Sequence, residues 1–210
     1  MARIAVAERR QQLIDATIRV MVEDGVAAAT TRRIAGEAGA TLATVHYCFE
    51  SKQALLREVI TTLVRQLATA VRQPPRQTSD LTTLVREYLD AVWQVVEGEP
   101  KRQRLTYELT QFALREPDLA ELAQWQYRLY HQECEQTLGA VARAANVSWI
   151  LPVDVVARMV LSAMDGAVLG WLVDGDAARS RQVLLTYGEL LAGLAEPVRD
   201  AHPAVVGVRP

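Results

Sequence analysis

Cysteine is scarce: Cys48 and Cys134 are the only two in the chain. They form no C-x-x-C pair, so neither a disulfide framework nor a cysteine metal site organises the fold. Histidine is scattered at His46, His131 and His202, with no H-E-x-x-H pair, phosphate-binding glycine loop, or Ser/His/Asp or Cys/His constellation around it. Neither a metal nor a cofactor is expected. Uncharged apolar runs stop well short of the roughly 18 to 20 residues that a transmembrane helix needs, and no membrane partner is expected. The start Met1-Ala2-Arg3-Ile4 lacks the apolar h-region of a signal peptide, which gives a cytoplasmic expectation. Long alternations of Val, Ile, Thr and aromatic residues between turns are missing as well, so no strand is expected. No internal repeat or low-complexity tract is visible.

What is present is the composition of an ordinary globular chain: 210 residues, 50% hydrophobic and 23% charged, enough for one large or two small domains. The net charge of −2 is uneven, with ten basic and seven acidic side chains in residues 1–72 and thirteen and eighteen in residues 73–210. A slightly basic head on an acidic body allows a polyanion at one end.

Apolar residues recur at helical spacing. Leu13, Ala16, Thr17, Val20 and Met21 mark one buried face of a first helix over about residues 8–24, with Gly25 as its stop. Thr30 or Thr31 as cap, Ile34, Ala35 and Ala38 turned inward, and Gly39 as terminator predict a short second helix. Val45 and Phe49 anchor a third over about 42–48. Ser51 caps a fourth that starts at Lys52 and carries an apolar stripe to about 72, before Pro74-Pro75 and the polar connector Arg76 to Ser79. Five more follow at about 80–97, 101–115, 118–145, 152–173 and 177–195. The expectation is an all-α fold of nine helices, with a head over residues 1–52, a body over 53–196 and a tail over 197–210 that is expected to be mobile.

Two short helices joined by a glycine turn are the helix-turn-helix arrangement. From spacing alone, a plain helical hairpin in an all-α protein fits as well. The residues add more. The segment Thr30-Thr31-Arg32-Arg33-Ile34-Ala35-Gly36-Glu37-Ala38-Gly39, followed by Thr44-Val45-His46-Tyr47-Cys48-Phe49-Glu50-Ser51-Lys52, resembles the DNA-binding domain of tetracycline-repressor (TetR) family regulators. Cys48 stands where the family usually has Tyr or His, and Leu42 where it is often polar. The resemblance implies an N-terminal three-helix DNA-binding domain, a C-terminal helical domain for ligand binding and dimerisation, and a palindromic double-stranded DNA operator as partner. It places the chain on the nucleoid when bound to DNA. It also implies that Thr31, Tyr47 and Lys52 hold phosphates and that Arg32 reads guanine. Thr41, Leu42, Ala43, Thr44 and His46 would lie at base edges. The chemistry of each permits this. Arg33 is assigned to backbone or solvent.

The body holds all four tryptophans and five of the six tyrosines, interleaved with Glu108, Gln111, His131 and Glu133. A pocket for a small-molecule effector is expected there, with Trp93, Tyr107, Glu108, Gln111, Trp125 and Tyr130 as candidates, and aromatic-plus-acidic chemistry hints at a cationic or amphipathic ligand. The same aromatics fit a plain core. The last two helices are apolar over more than one face, which in the family pairs them with their two-fold mates. Met159, Ala163, Ala167, Gly170, Leu184, Tyr187 and Leu191 are the candidates for that homodimer interface, against a fully intrachain core. The reading is thus a ligand-responsive repressor. A transferase-like helical enzyme using the aromatic region, or an interaction module without DNA binding, are the alternatives.

Overall fold

The structure, a computed structural model, describes residues 5–71 and 80–198. Among them run nine α-helices: α1 (Val6–Asp24), α2 (Thr31–Glu37), α3 (Leu42–Cys48), α4 (Lys52–Val71), α5 (Leu81–Gly98), α6 (Pro100–Arg115), α7 (Ala120–Ala145), α8 (Val153–Asp174) and α9 (Ala177–Ala192). The caps explain where they start. The Thr30 hydroxyl accepts from Arg33 N at 3.2 Å, the Thr41 hydroxyl from Thr44 N at 3.2 Å, the Ser51 hydroxyl from Ala54 N at 3.0 Å and Asp176 from Arg179 N at 2.9 Å. Each satisfies an orphan donor of a first turn. α2 stops where Gly39 takes φ +59, a conformation that costs a residue with a Cβ about 1 kcal/mol or more. Ala40 N then reaches Ala35 O at 2.9 Å and Gly39 N reaches Gly36 O at 3.2 Å, the paired bonds of a Schellman turn.

Three departures from the sequence reading follow from short-range geometry. Pro117–Leu119 forms a 3-10 turn, so α7 begins only at Ala120. Val147–Trp149 (β1) and Ala195–Pro197 (β2) form an antiparallel pair with Ser148 opposite Glu196, although no strand was expected. Three residues cannot display a period-two pattern, and it is the meeting of the α7–α8 link with the end of α9 that pairs them. For the same reason α9 ends at Ala192, and the first two residues of the expected tail contact the body, Pro197 paired with Val147 and Val198 N donating to Asn146 O at 3.1 Å. Residues 199–210 of that tail, and the connector from Arg76 to Ser79, lie outside the described residues.

The core has three parts. The first joins Leu13, Val20, Met21, Ile34, Val45 and Phe49 of the head to Leu55, Val59 and Ile60 of α4, and takes in Leu105, Leu109 and Ala113 of α6 and Leu122 of α7. It crosses the division drawn at residue 52. The second lies among α5, α7, α8 and α9 around Leu89, Leu138, Val156 and Leu191, and the third around Trp93, Val168, Trp171 and Leu184. Of the described helices, α8 is long and apolar enough to cross a membrane by length and composition, with mean hydropathy 1.5 in a window of which 33% is buried. Arg158 and Asp165 interrupt it, which is why no long uncharged run was visible.

α5 and α9 pack most closely at Gly188. A Cβ there would stand 2.9 Å from Leu89 Cδ1 and 3.3 Å from Val85 Cγ1, so Leu89, which is buried, would have to shift. Overpacking should outweigh the gain in helix propensity, so Gly188→Val should lower the unfolding free energy by roughly 1–2 kcal/mol. Urea denaturation checks this; unchanged stability would show that the two helices separate freely.

Candidate functional site

The reading head is a rigid three-helix unit whose second and third helices present an outer surface. Ile34, Ala35, Val45, Cys48 and Phe49 are buried. Arg10 of α1 pins the α3–α4 corner: its guanidinium lies 4.4 Å from the Phe49 ring centroid, donates to Cys48 O, and pairs with Glu58 at 3.1 Å. Arg32, Thr41, Leu42, Ala43, His46 and Tyr47 are exposed, Tyr47 by 76%, while Thr31, Thr44 and Lys52 are half-buried. Thr41 is bound to the α3 cap, its hydroxyl 2.8 Å from that of Thr44, so these two act as one unit. Arg33, a partly exposed side chain, is paired with Asp24 and Glu37, each at 3.0 Å. Glu37 in turn is bonded by Arg19 and Arg33, which hold its carboxyl below the usual range. Arg33 is therefore a brace for α2. Lys52 stands with its ammonium 5.9 Å from the Phe112 ring centroid of α6.

In the body, α4, α5, α6, α7 and α8 enclose a cavity of about 500 Å³. Its wall is mainly aliphatic, with Val64, Leu67, Val92, Val160 and Val168. Three tyrosines (Tyr88, Tyr107, Tyr130) and three carboxylates (Glu87, Glu133, Asp165) interrupt it, and no Lys, Arg or His lies on it among the described residues. Asp165 is the most constrained acid. Tyr127 donates to its Oδ2 at 2.8 Å and Tyr107 to its backbone carbonyl at 3.0 Å. Burial pushes its carboxyl above the usual range, against the downward pulls of Tyr127 and Arg158. Burial also raises Tyr127 and Tyr88 to about 12, and the Cys134 thiol on the same wall to about 12, so Cys134 carries no thiolate reactivity.

Of the six expected pocket residues, the wall contains Tyr107 and Tyr130. The other four are elsewhere. Trp93 is fully buried edge-on to Trp171, ring centroids 5.5 Å apart, and Trp125 lies between the guanidiniums of Arg57 and Arg128, 5.9 Å from each. Glu108 accepts from Val26 N at 2.8 Å, and Gln111 is exposed. Successive helix residues point about 100° apart. With Tyr107 turned to the cavity, Glu108 is rotated about 100° away from it, while Gln111, at i+4 and on nearly the same face, lies one turn further along the helix and is exposed. Asp165 was missed although the sequence signals it: it is the one charged residue between Met159 and Val173.

The outer faces of α8 and α9 also differ from expectation. Ala167, Leu184 and Leu191 are buried in the chain's own core, and Met159, Ala163 and Tyr187 pack against it. Gly170 is half-buried and opens to empty space. The apolar residues left bare are Leu169, Val173, Val183 and Leu190, 50–80% exposed. Both helices have two apolar faces, and only packing decides which one turns inward.

Residues 13–59 match the bacterial regulatory proteins of the tetR family, and residues 81–196 match the C-terminal region of BetI-type transcriptional repressors. The chain belongs to the TetR family. It is similar to the nicotine-responsive transcriptional repressor HdnoR of Paenarthrobacter nicotinovorans, 32% identical over 86% of this chain and 92% of that one. It is also similar to the transcriptional regulator BetI of Stenotrophomonas maltophilia, 30% identical over 85% and 90%. Among solved structures, the multidrug binding protein EbrR complexed with ethidium is 25% identical over 85% of this chain and 97% of that one, with TM-score 0.59. A TetR-family regulator from Rhodococcus sp. shares the fold at TM-score 0.73 and 15% identity, over 89% and 99%. As a TetR-family member the chain is a helix-turn-helix transcriptional regulator.

The exposed head residues set the DNA tests. Lys52→Ala should weaken all sequences alike and lower the salt slope by about one ion, whereas Arg32→Ala should cost roughly 1–3 kcal/mol and relax one operator position per half-site. Fluorescence anisotropy across a salt series separates the two; equal loss on every sequence for Arg32→Ala would remove it from base readout.

Proposed function

We propose that this chain is a homodimeric repressor whose hold on a palindromic operator is weakened by a lipophilic organic cation bound in the body cavity. The observation that carries the ligand class is the wall itself: three carboxylates and three tyrosines in an aliphatic lining, with no Lys, Arg or His among its described residues. Such a site favours a positive charge through carboxylates and ring faces, and disfavours anions by the repulsion of those carboxylates. The named ligands of the relatives agree in chemistry. Nicotine is an amine protonated near neutral pH, and ethidium, bound to EbrR, is an aromatic cation. The relatives are transcriptional regulators, and we read the cavity as a binding site rather than a reaction centre.

Two-fold assembly through α8 and α9 fits the bare Leu169, Val173, Val183 and Leu190, which would otherwise leave an apolar patch in water. Gly166 and Gly170, with nothing within 4 Å of a Cβ position, would let a second copy approach closely. Thr31, Arg32, Thr41, Leu42, Ala43, Thr44, His46, Tyr47 and Lys52 are the proposed DNA surface.

Leu190→Glu should turn the dimer into a monomer in sedimentation, because a carboxylate would be buried against its mate; Leu184→Glu should instead unfold the chain. A dimeric Leu190→Glu would place the interface elsewhere.

Asp165 sets the pH dependence. Its carboxyl binds a cation only when ionised, and its raised pKa means that binding of a permanent cation such as tetraphenylphosphonium should be full at high pH. Affinity should then begin to fall at a pH above the ordinary carboxylate value of about 4. Asp165→Asn should cost roughly 1.5–3 kcal/mol of affinity and remove that part of the pH profile. Titration of tryptophan fluorescence reads both; undiminished binding by Asp165→Asn would take the charge recognition away from this residue.

A further inference from the structure

We infer that Glu108 is the positioning residue that locks the reading head to the body and carries the state of the cavity to it. This rests on the cavity being the effector site. Consecutive residues of α6 face opposite partners. Tyr107 lies on the cavity wall and donates to the Asp165 carbonyl of α8 at 3.0 Å. Glu108, turned about 100° away, accepts from the backbone N–H of Val26 at 2.8 Å. That N–H follows Gly25, which ends α1 at φ +86, and a Cβ on Gly25 would sit 3.1 Å from the same Glu108 oxygen. The carboxylate, itself exposed, lies against the backbone of the turn that leads into α2, where the positive φ of Gly25 favours glycine.

The rest of α6 adds a second grip on the head. Leu105, Leu109 and Ala113 are buried in the head's core, and Phe112 lies under the Lys52 ammonium at 5.9 Å. Apolar contacts resist separation but tolerate sliding, because they are non-directional. A carboxylate on a single amide is directional and fixes the angle. A ligand that displaces Tyr107 moves a rigid helix, and Glu108 moves with it. The head then turns through the Val26 bond instead of slipping past α6. α4 offers a parallel route, since Val64, Leu67, Ala68 and Val71 line the cavity and Lys52 begins the same helix.

The test needs no known effector. On an operator selected from random duplexes by the unmutated dimer, one base pair inserted between half-sites shifts the second by about 3.4 Å and about 35°. The unmutated protein should discriminate strongly against it. Glu108→Ala should narrow that discrimination about tenfold, and Glu108→Gln, which keeps an acceptor, should restore most of it. Binding to a single half-site and the melting temperature should stay near the unmutated values, which a merely destabilised head would not allow. Tetraphenylphosphonium should bind Glu108→Ala as before but release its operator about tenfold less effectively. If Glu108→Ala discriminates spacing like the unmutated protein, the lock is refuted whatever the probe does. If spacing discrimination is lost but release is unchanged, coupling runs through α4 alone and that half of the inference falls. If the probe binds neither protein, the cationic-effector reading fails, and the spacing result still decides the role of Glu108.

Discussion

The burial of one face of α6 inside the reading head is the constraint on which the rest depends. Leu105 and Leu109 are 2% and 0% exposed, among Leu13, Ile34 and Leu55. At about 1.5–3 kcal/mol for each fully buried aliphatic side chain, these contacts outweigh the single Glu108 to Val26 hydrogen bond and the surface ion pairs of α4. Arg57 with Glu121, at 3.2 Å and largely exposed, belongs to a class worth about 0–1 kcal/mol. The head and body therefore share one apolar cluster. Among the described residues they meet at no hydrophobic seam along which they could part, and the directional Glu108 to Val26 bond limits sliding within that cluster.

The cavity is the counterpart of that rigidity. A space of about 500 Å³ among five helices leaves their linings short of contacts that a filled core would have, and Asp165 on its wall loses hydration through burial. Asp165 shows the strain chemically, as a carboxyl whose burial raises its pKa while Tyr127 and Arg158 only partly offset it. A site built this way gains most from a ligand that brings both bulk and positive charge. Ligand binding and the setting of the heads are then linked reciprocally, since whatever the ligand does to operator affinity the operator must do to ligand affinity.

The bare apolar face of α8 and α9 is a separate consequence of the same economy of helices. α9 is pinned to α5 by the close approach at Gly188, by Arg86 with Glu189, and by Arg181 with Asp90 at 2.6 Å. That fixes which sides of α8 and α9 are used within the chain. Leu169, Val173, Val183 and Leu190 are what remains for a second copy.

The local periodicities and caps determined most of the architecture without any tertiary information. Thr30, one of the two candidates, and Ser51 cap the helices they were expected to cap, Gly39 makes the helix-turn-helix turn, and the run from Thr30 to Lys52 marked the family. These are features of contiguous residues, governed by backbone hydrogen bonding and by φ, which the chain carries with it. What required the folded molecule was direction. The sequence marks Tyr107, Glu108 and Gln111 as one aromatic and polar group, yet a rotation of about 100° turns Glu108 away from the cavity, and Gln111, on nearly the same face as Tyr107, lies a turn further along and is exposed. Leu184 and Leu190 look equivalent on a doubly apolar helix until α5 claims the side of Leu184. The pairing of Val147–Trp149 with Ala195–Pro197 joins segments too short to show a period and too far apart in sequence to be matched. Which face a helix buries is decided by its neighbours, and neighbours distant in the chain are set only when it folds.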